Sequence, residues 1–284
     1  MFRLARRPTL VSIAHPMTAL LIATRNGHKA GEIRAILGEG VRYLTLDGFP
    51  GAPNVVEDAP TFAGNATKKA VELAKWLSAV NDSRFTIHVS RFFVLADDSG
   101  LEVDALNGAP GVHSARFAVL DSSAVVGQAS SLSAFPISGP HGLSPRLEAC
   151  PTNSPDAENI AKLLRLLKDV PLERRTARFR CVIALTPLIR DQVESASPVC
   201  YADEFEMQTQ LFEAACEGRI GFAPRGQGGF GYDPLFLPDG ISQTFAELGE
   251  ETKNRLSHRG RALAKLKDRL ERQSGIARPP GTPG

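Results

Sequence analysis

The sequence predicts an α/β protein built as a single two-lobed unit. Strand-like and helix-like patterns alternate along most of the 284 residues, which is typical of α/β folds. Hydrophobic residues make up 43% of the chain and charged residues 23%, so a globular core can form and wholesale disorder is excluded. Apart from residues 119–153, no linker-like stretch separates the polar clusters of the chain, which favours one unit over two independent domains.

The spacing of apolar residues predicts the individual elements. Residues 18–24 and 91–96 have the length and composition of buried strands, and the second of these runs into two adjacent acids. Alternating side chains predict further strands at 177–186 and 210–222. Helices are predicted where apolar side chains recur every three to four residues, at 29–37, 65–80, from about 155, and at 257–273.

Charge and cysteine content exclude several classes of protein. Lys and Arg total 33 against 31 Asp and Glu, a net charge of +2, so the chain has no overall field to hold a nucleic-acid polymer. The four cysteines lack the C-x-x-C pairs of structural zinc sites and are expected to be free thiols in a reducing compartment. No apolar run approaches the ~20 residues of a membrane helix. We therefore expect a soluble cytoplasmic protein without a membrane partner.

Both termini and one internal segment lie outside this pattern. Residues 1–17 carry three Arg and no acid, which fits either an organelle-targeting peptide or an extension upstream of a start at Met17. Residues 119–153 are rich in Ser, Ala, Gly and Pro and are expected to form a disordered or surface insertion. Residues 274–284 are predicted to be a disordered tail, which leaves 18–273 as the folded domain.

The first polar cluster is the turn TRNGHK at 24–29, between the first strand and the first helix. Asn26 and Gly27 tolerate positive φ, which would leave backbone N–H groups at the helix start available to a phosphate. The alternative is an ordinary connection with Lys29 in solvent.

Two acidic clusters follow along the chain. Glu57 and Asp58 could hold a hard cation, or they could be charged residues flanking a capped helix. Asp97 and Asp98 follow a buried strand, where an acidic pair without a partner is costly. Mg²⁺ suits such a pair because it takes one or two carboxylates together with waters and substrate phosphates. A tight turn at the pair is the structural alternative, and His113 is expected to pack rather than to bind a metal.

Three glycines within 226–231 satisfy the G-x-G-x-x-G pattern of dinucleotide-binding folds. That pattern requires a helix directly afterwards, whereas Pro234 biases Asp233 away from helical structure. We therefore predict, in place of a Rossmann site, a mobile glycine-rich loop that presents Phe230 and Tyr232 to a flat ring.

Three more candidate site residues, Lys253, His258 and Arg259, lie near the start of the final predicted helix. Their side chains could face a phosphate or a carbonyl group. The sequence contains no G-x-x-x-x-G-K-[ST] motif, which excludes a P-loop NTPase.

Five motifs in order along the chain carry a resemblance to a known family. They are ATRNGHKAGEI, TFAGNATKKA, LADDSGLEVDALNGAPGVHSAR, GGFGYDPLF and KNRLSHRGRAL. With these motifs the chain resembles the inosine triphosphate pyrophosphatase family, which hydrolyses dITP, ITP and XTP to the monophosphate and pyrophosphate. The likeness spans residues 18–118 and 154–270. It implies an elongated mixed α/β fold with a cleft between two lobes, a Mg²⁺ requirement and a homodimer.

The resemblance also implies roles for individual residues. Glu57 and Asp98 match the metal-binding acids, Asp98 also matches the general base, and Ser99 is expected to touch the substrate. The triphosphate would be held by Thr24, Asn26, Gly27 and Lys29. The purine would be stacked or bordered by Phe230, Gly231, Tyr232 and Asp233, and its 6-oxo edge would be recognised by Lys253, His258 and Arg259.

The chain departs from the family pattern at several positions. The departures are Arg25 for a Gly, Asp58-Ala59 for Thr-Gly, Gly64 for a Glu, and His113 for a Tyr. They leave two other functions open, a non-catalytic nucleotide-binding protein and a hydrolase of other modified nucleotides. The retained acids Glu57 and Asp98 argue against a pure binding protein, which needs no pair of metal ligand and base.

Overall fold

A computed structural model describes residues 17–80, 89–120, 153–188 and 204–273. The predictions for residues 1–16 and 274–284, and for nearly all of the insertion 119–153, lie outside these residues. No helix in the described ranges is long and apolar enough to cross a membrane.

Six strands form one mixed sheet. They are β1 (Met17–Ile22), β2 (Val41–Thr45), β3 (Val89–Val103), β4 (Thr176–Pro187), β5 (Gln210–Ile220) and β6 (Phe236–Pro238). The strand order is β2-β1-β3-β4-β5-β6. β1 pairs in parallel with β2 and β3, whereas β3 to β6 pair antiparallel. The predicted α/β class with a mixed sheet is therefore confirmed.

The described helices are α1 (Gly27–Leu37), α2 (Phe62–Ala79), α3 (Asp156–Leu166), α4 (Glu204–Gln208), α5 (Glu250–Leu256) and α6 (His258–Gln273). The sequence-based helices are confirmed within a few residues of these bounds. One placement was wrong, because Lys253 lies on the separate helix α5 and not at the start of the final helix. A non-helical backbone at Ser257 separates α5 from α6.

The helices cover both faces of the sheet. Val94 and Ala96 of β3 pack in a core with α2, whose buried stripe includes the predicted residues Ala70 and Leu77. Leu95, on the opposite face of β3, packs in a core with α1 and α6. A third core, built around α3 and the β4–β6 end of the sheet, completes the domain.

The sheet has a topological switch point at β1, because β2 lies on one side of β1 and β3 lies on the other. In open α/β sheets such a switch point opens a crevice at the carboxyl ends of the strands, where ligands bind. β1 ends at Ile22, and the N–H of Ala23 donates to Leu95 O at 2.7 Å. β3 continues beyond this point, and Asp98 pairs with Val182 of β4. The two acids therefore lie past the end of β1 but within β3.

This register corrects one prediction. Asp97 and Asp98 were expected at the end of a strand or in a tight turn. Both expectations are wrong, because the two residues lie within β3. Residues from Asp97 to Val103 remain paired with β4, which supplies the backbone hydrogen bonds that a terminating strand would lose. The sequence lacks a signal for this extension because the antiparallel partner lies about 80 residues away.

Helix α3 holds both chain ends that border residues 121–152. Asn159 Nδ2 donates to Ser154 O at 3.4 Å, on the carboxyl side of that segment. Lys162 Nζ donates to Leu120 O, on its amino side. Because both anchors lie on the same helix, the described domain needs no contribution from the segment to bring these ends together.

We expect residues 121–152 to be replaceable by a short Gly-Ser linker with only a small change in Tm. A shorter connection changes the closure entropy only slowly, about 0.6 kcal/mol per halving. Thermal unfolding of the shortened and full chains checks this expectation. As a control, Asn159→Ala removes the anchor itself and is expected to cost about 1–3 kcal/mol. Insolubility of the shortened chain beside a soluble full chain would show that the segment packs against the domain.

Candidate active site

Asp97 and Asp98 are neighbours on β3, so their side chains point to opposite faces of the sheet. Asp97 faces α1 and α6, as Leu95 does, whereas Asp98 faces α2, as Ala96 does. Both side chains are buried, with residue exposures of 2% and 4%. The two carboxylates therefore have different electrostatic environments.

Asp97 is surrounded by cations. Lys29 Nζ lies 2.5 Å from its Oδ1, and Arg259 Nε donates to its Oδ2 at 3.1 Å. Arg259 also donates to Ser99 Oγ at 2.8 Å. Burial alone would raise the pKa of Asp97, but Arg259 and Lys29 together hold that pKa well below its usual range. Asp97 is therefore a stable anion that gathers three predicted site residues.

Glu32 of α1 extends this arrangement to a second buried cation. Lys253 Nζ lies 2.8 Å from Glu32 Oε1 and 2.8 Å from Asp233 Oδ2. Arg259 NH1 donates to Glu32 Oε2. Burial would raise the pKa of Glu32, but Arg259 and Lys253 outweigh it and lower the pKa. We call the set the ionic network; its members are Lys29, Glu32, Asp97, Asp233, Lys253 and Arg259.

Asp98 is less well compensated. Lys69 Nζ lies 3.8 Å from Asp98 Oδ1, and it lies closer to Glu57 Oε1 at 3.2 Å. Burial raises the pKa of Asp98 to about 6 in spite of the attraction of Lys69. Within the described residues, Asp98 Oδ2 is buried and has no hydrogen-bond partner at full bonding distance. Burial outweighs the amide of Asn65, which acts to lower the pKa of Asp98 and whose Nδ2 likewise has no partner in the described residues. Lys69 thus lies between the carboxylates of Glu57 and Asp98, and Asp98 Oδ2 remains without a full hydrogen bond within the described residues.

This pair fits a magnesium ion better than a transition metal. The described residues contain no group of three or more His, Cys, Asp or Glu side chains that could hold a metal. Zinc sites use at least three such ligands, whereas Mg²⁺ takes one or two carboxylates and completes its shell with waters and substrate phosphates. The unpartnered oxygen of Asp98 and the partly exposed carboxylate of Glu57 match that requirement.

The turn at 24–29 is closed by its own side chains. Asn26 Oδ1 caps α1 by accepting from His28 N at 2.9 Å and from Lys29 N at 3.2 Å. Thr24 Oγ1 accepts from Asn26 N at 3.1 Å. The predicted positive φ is wrong, because Asn26 has a φ of −82° and Gly27 is not among the positive-φ residues. An N-cap residue is extended, so this turn needs no left-handed residue.

The glycine-rich loop, residues 226–233, turns through three residues with positive φ: Gly226, Gly229 and Gly231. Turns and the short strand β6 follow it, and no helix does, which confirms the exclusion of a Rossmann site. The loop is fixed from within, since Phe230 N donates to Asp233 Oδ2 at 2.9 Å. Tyr232 is buried, and its hydroxyl donates to Ser114 O at 2.9 Å, so this ring anchors the loop instead of facing outward.

Phe230 is half-buried and marks the point where the site segments meet. Its ring stacks on His28, with centroids 5.7 Å apart and planes at 21°. Lys253 Nζ lies 5.0 Å from the centroid of Phe230, and Arg259 Cζ lies 5.6 Å from it. A half-buried aromatic ring thus borders the ionic network.

The histidines differ in their surroundings. His258 is buried, and its ring stacks on Phe179 at 4.8 Å with planes at 11°. Burial, followed by the charge of Arg259, lowers the pKa of His258 well below its usual range, so this imidazole is neutral near pH 7. His113 is half-buried and lies 3.3 Å from Arg116 NH2, which agrees with its predicted packing role.

Two residues of the site, Glu32 and Lys69, were absent from the sequence-based set. The expected magnesium-binding pair of Asp97 and Asp98 was wrong, because Asp97 lies in the ionic network on the opposite face of the sheet from Asp98. Glu32 and Lys69 are buried charges on amphipathic helices. Glu32 lies four residues before Ile36, and Lys69 lies four residues before Leu73, so both fall on a predicted apolar stripe. A charge on such a stripe is costly without a partner, and this signal could have identified both.

The structure accommodates the departures at Arg25, Asp58-Ala59 and Gly64. Arg25 donates to Ala52 O at 3.4 Å. A Cβ added at Gly64 would lie 2.8 Å from Ala59 Cβ, so a methyl group at 59 excludes a side chain at 64. Asp58 pairs with Lys68 at 2.6 Å in solvent.

Comparison with known proteins places these residues in context. A model of the Ham1 family matches residues 20–135 and 139–269. A dITP/XTP pyrophosphatase of Geobacillus kaustophilus is 39% identical over 256 residues, covering 90% of this chain and 95% of that protein. A dITP/XTP pyrophosphatase of Geobacter sulfurreducens is 42% identical over 255 residues, covering 89% and 97%.

Solved structures agree with the sequence comparisons. A HAM1 protein from Coxiella burnetii superposes with a TM-score of 0.62 at 30% identity, covering 90% of this chain and 100% of that one. A dITP/XTP pyrophosphatase from Mycobacterium abscessus gives a TM-score of 0.55 at 34% identity, covering 87% and 98%. Family model, sequence relatives and fold therefore coincide over nearly the whole length, and the chain belongs to the Ham1 family.

Proposed function

We propose that this chain hydrolyses the purine nucleoside triphosphates ITP, dITP and XTP to the nucleoside monophosphate and pyrophosphate. The observation that carries the proposal is Asp98, a buried carboxylate with an unpartnered oxygen and a pKa raised to about 6. Such a group is costly to keep and is typical of a catalytic centre. Relatives named dITP/XTP pyrophosphatase, 39% and 42% identical, support the choice of substrate.

Asp98 is the proposed general base. A carboxylate with a pKa near 6 is mostly ionised at pH 7, and it accepts a proton more readily than an ordinary Asp. Glu57 and Asp98 would hold Mg²⁺, which supplies charge stabilisation on the phosphate oxygens when it is bound. Lys69 lies between these two carboxylates and would add a positive charge beside Mg²⁺ at the phosphates.

The triphosphate is expected at the start of α1. Thr24, Asn26, Gly27 and Lys29 border this helix end, whose dipole favours an anion. Asn26 Oδ1 already accepts from the N–H groups of His28 and Lys29, so the side chain of Lys29 would supply the main contact to the phosphates. Lys29 is already bound to Asp97, so its ammonium is held in place before substrate arrives. Ser99, which accepts from Arg259, borders the same side of β3 and would contact the substrate.

The purine is expected on the ring of Phe230, bordered by Gly231 and Asp233. The buried Tyr232, expected from the sequence to border the base, would instead support the loop through its hydrogen bond to Ser114 O. Lys253 has three N–H donors and uses two of them on Glu32 and Asp233, so one remains for a ligand. Together with Arg259 and His258 it would face the 6-oxo group of hypoxanthine or xanthine. A 6-amino group would leave such buried donors unpaired, which discriminates against ATP.

Two other functions are weaker. A non-catalytic nucleotide-binding protein gains nothing from a desolvated carboxylate such as Asp98, which opposes binding of an anion. A hydrolase of other modified nucleotides would share the same phosphate chemistry and differ only at the base. By resemblance we also propose a cytoplasmic homodimer that acts on free nucleotides and not on nucleic-acid polymers.

The products of ITP hydrolysis test the proposal directly. We expect IMP and pyrophosphate in equal amounts when the purified protein is incubated with ITP and Mg²⁺, and little turnover of ATP. Chromatography of the nucleotides together with a pyrophosphate-specific assay measures both products. Release of orthophosphate and IDP would contradict cleavage between the α and β phosphates.

Asp98→Asn is expected to lower kcat at least 10²-fold, the usual cost of losing a general base. The same change should stabilise the fold at pH 7, because it removes a charge that burial disfavours. A pKa raised from 3.8 to about 6 corresponds to at most about 3 kcal/mol. The wild-type penalty appears as pH rises from about 4 to about 6, so the gain should be complete above pH 6 and vanish near pH 4. Urea unfolding across this range measures it.

Asp58→Asn serves as the matched control for this experiment. Asp58 lies next to Glu57, but it is exposed and pairs only with Lys68 in solvent. We expect this variant to keep kcat and to show no pH-dependent gain in stability. Near-normal kcat in Asp98→Asn would remove Asp98 from the proposed role.

Two further variants should distinguish the residue that gives affinity for any purine base from the residue that sets the preference for ITP over ATP. Phe230→Ala is expected to weaken ITP, XTP, ATP and GTP about equally, by the ~1–3 kcal/mol of a stacked base. Arg259→Lys keeps the charge that balances Asp97 and Glu32 but loses the planar fork. It should reduce kcat/KM for ITP more than for ATP. Equal losses on all four nucleotides in Arg259→Lys would show that the base is selected elsewhere.

A further inference from the structure

His28 occupies a position to which neither the sequence motifs nor the proposed mechanism gives a role. It lies in the first turn of α1, between the N-cap Asn26 and the network residue Lys29. Its backbone N–H is fixed by Asn26 Oδ1 at 2.9 Å, whereas its side chain is exposed. The backbone is therefore fixed while the imidazole can change rotamer at little cost.

The ring of His28 stacks on the ring of Phe230, with centroids 5.7 Å apart and planes at 21°. The contact joins the turn expected to hold the triphosphate to the loop expected to hold the base. Neither residue belongs to the three hydrophobic cores of the described chain. Folding therefore gives no reason for two partly exposed rings to meet at this point.

We propose that His28 is the second wall of the purine site, so that the base lies between the imidazole of His28 and the ring of Phe230. This inference rests on the proposed function. A flat ring between two others needs a centroid separation of about 7 Å, twice the ~3.5 Å of a van der Waals contact. With centroids 5.7 Å apart the two rings are offset-stacked, so His28 must move away from Phe230 to admit the base, a shift within the range of an exposed side chain.

The position of His28 gives this wall a second effect. Its neighbour Lys29 is paired with Asp97 and is proposed to contact the phosphates. A base stacked on His28 would therefore also restrict the motion of the turn that holds the phosphates. Stacking is indifferent to the identity of the base, because every base has a flat face. His28 should therefore increase affinity for all purine nucleotides without changing the preference among them.

The geometry also suggests the opposite arrangement, in which His28 covers Phe230 in the free protein and the base displaces it. The two arrangements predict effects of opposite sign. If His28 is a wall, removing its ring weakens nucleotide binding. If it is a cover, removing its ring strengthens binding, because the base no longer competes with the imidazole.

The test measures binding of the α,β-methylene analogue of ITP, which cannot be cleaved between the α and β phosphates, by calorimetry with Mg²⁺. We expect His28→Ala and His28→Gln to raise Kd about 3- to 10-fold, as losing one aromatic pair of about 0.5–1.5 kcal/mol predicts. His28→Phe keeps a ring at the same place and should bind within about twofold of the wild type. Inorganic tripolyphosphate, which has no base, should bind all four proteins equally.

Each result distinguishes His28 as a wall of the purine site from His28 as a cover of Phe230. Tighter binding or an unchanged Kd in His28→Ala overturns the proposal, and so does an equal loss of tripolyphosphate binding, which would place His28 at the phosphates. A wild-type protein that binds tripolyphosphate but not the ITP analogue would instead contradict the proposed function. The two failures are thus distinguishable in one series of titrations.

Discussion

The buried charge balance around Asp97 is the constraint on which the rest of the site depends. Lys29, Lys253 and Arg259 face Glu32, Asp97 and Asp233, so three cations and three carboxylates compensate one another within the ionic network. Removing one member of such a set leaves a buried charge without a partner, which typically costs about 3–5 kcal/mol. The network joins α1, β3, the glycine-rich loop, α5 and α6, so these elements can take only one relative arrangement.

The period of a β-strand explains how two adjacent acids acquire opposite properties. Asp97 points into the balanced network, where Arg259 and Lys29 hold its pKa low, and it serves as a fixed anion. Asp98 points to the other face, where burial outweighs the attraction of Lys69 and Lys29 and its pKa rises to about 6. Paired titratable groups whose environments move their pKa values apart are a recurring feature of acid–base sites. The structural carboxylate and the proposed general base are therefore separated by the thickness of one sheet.

Local patterns in the sequence predicted most of the elements but not this division. Apolar periodicity identified the buried stripe of α2 and the leucines of α6 because each helix buries one face within about sixteen residues. The extension of β3 through Asp97 and Asp98 depends on pairing with β4, a contact distant in sequence that no local pattern encodes. The buried position of Glu32 could be inferred from its helix, but its partners could not, since Lys253 and Arg259 lie near the other end of the chain.

The ionic network also constrains how the proposed site would distinguish a 6-oxo purine from a 6-amino purine. Lys253 and Arg259 spend most of their donors on buried carboxylates, so the few N–H groups left over are held in fixed directions before any ligand arrives. A donor held in this way cannot turn aside from a 6-amino group, and a mispaired buried donor costs about 1–3 kcal/mol. Rings such as Phe230 impose no such condition, because a stacked purine meets only a flat apolar face. In the proposed enzyme, selectivity would therefore come from the rigidity of the charges, and affinity from the aromatic ring beside them.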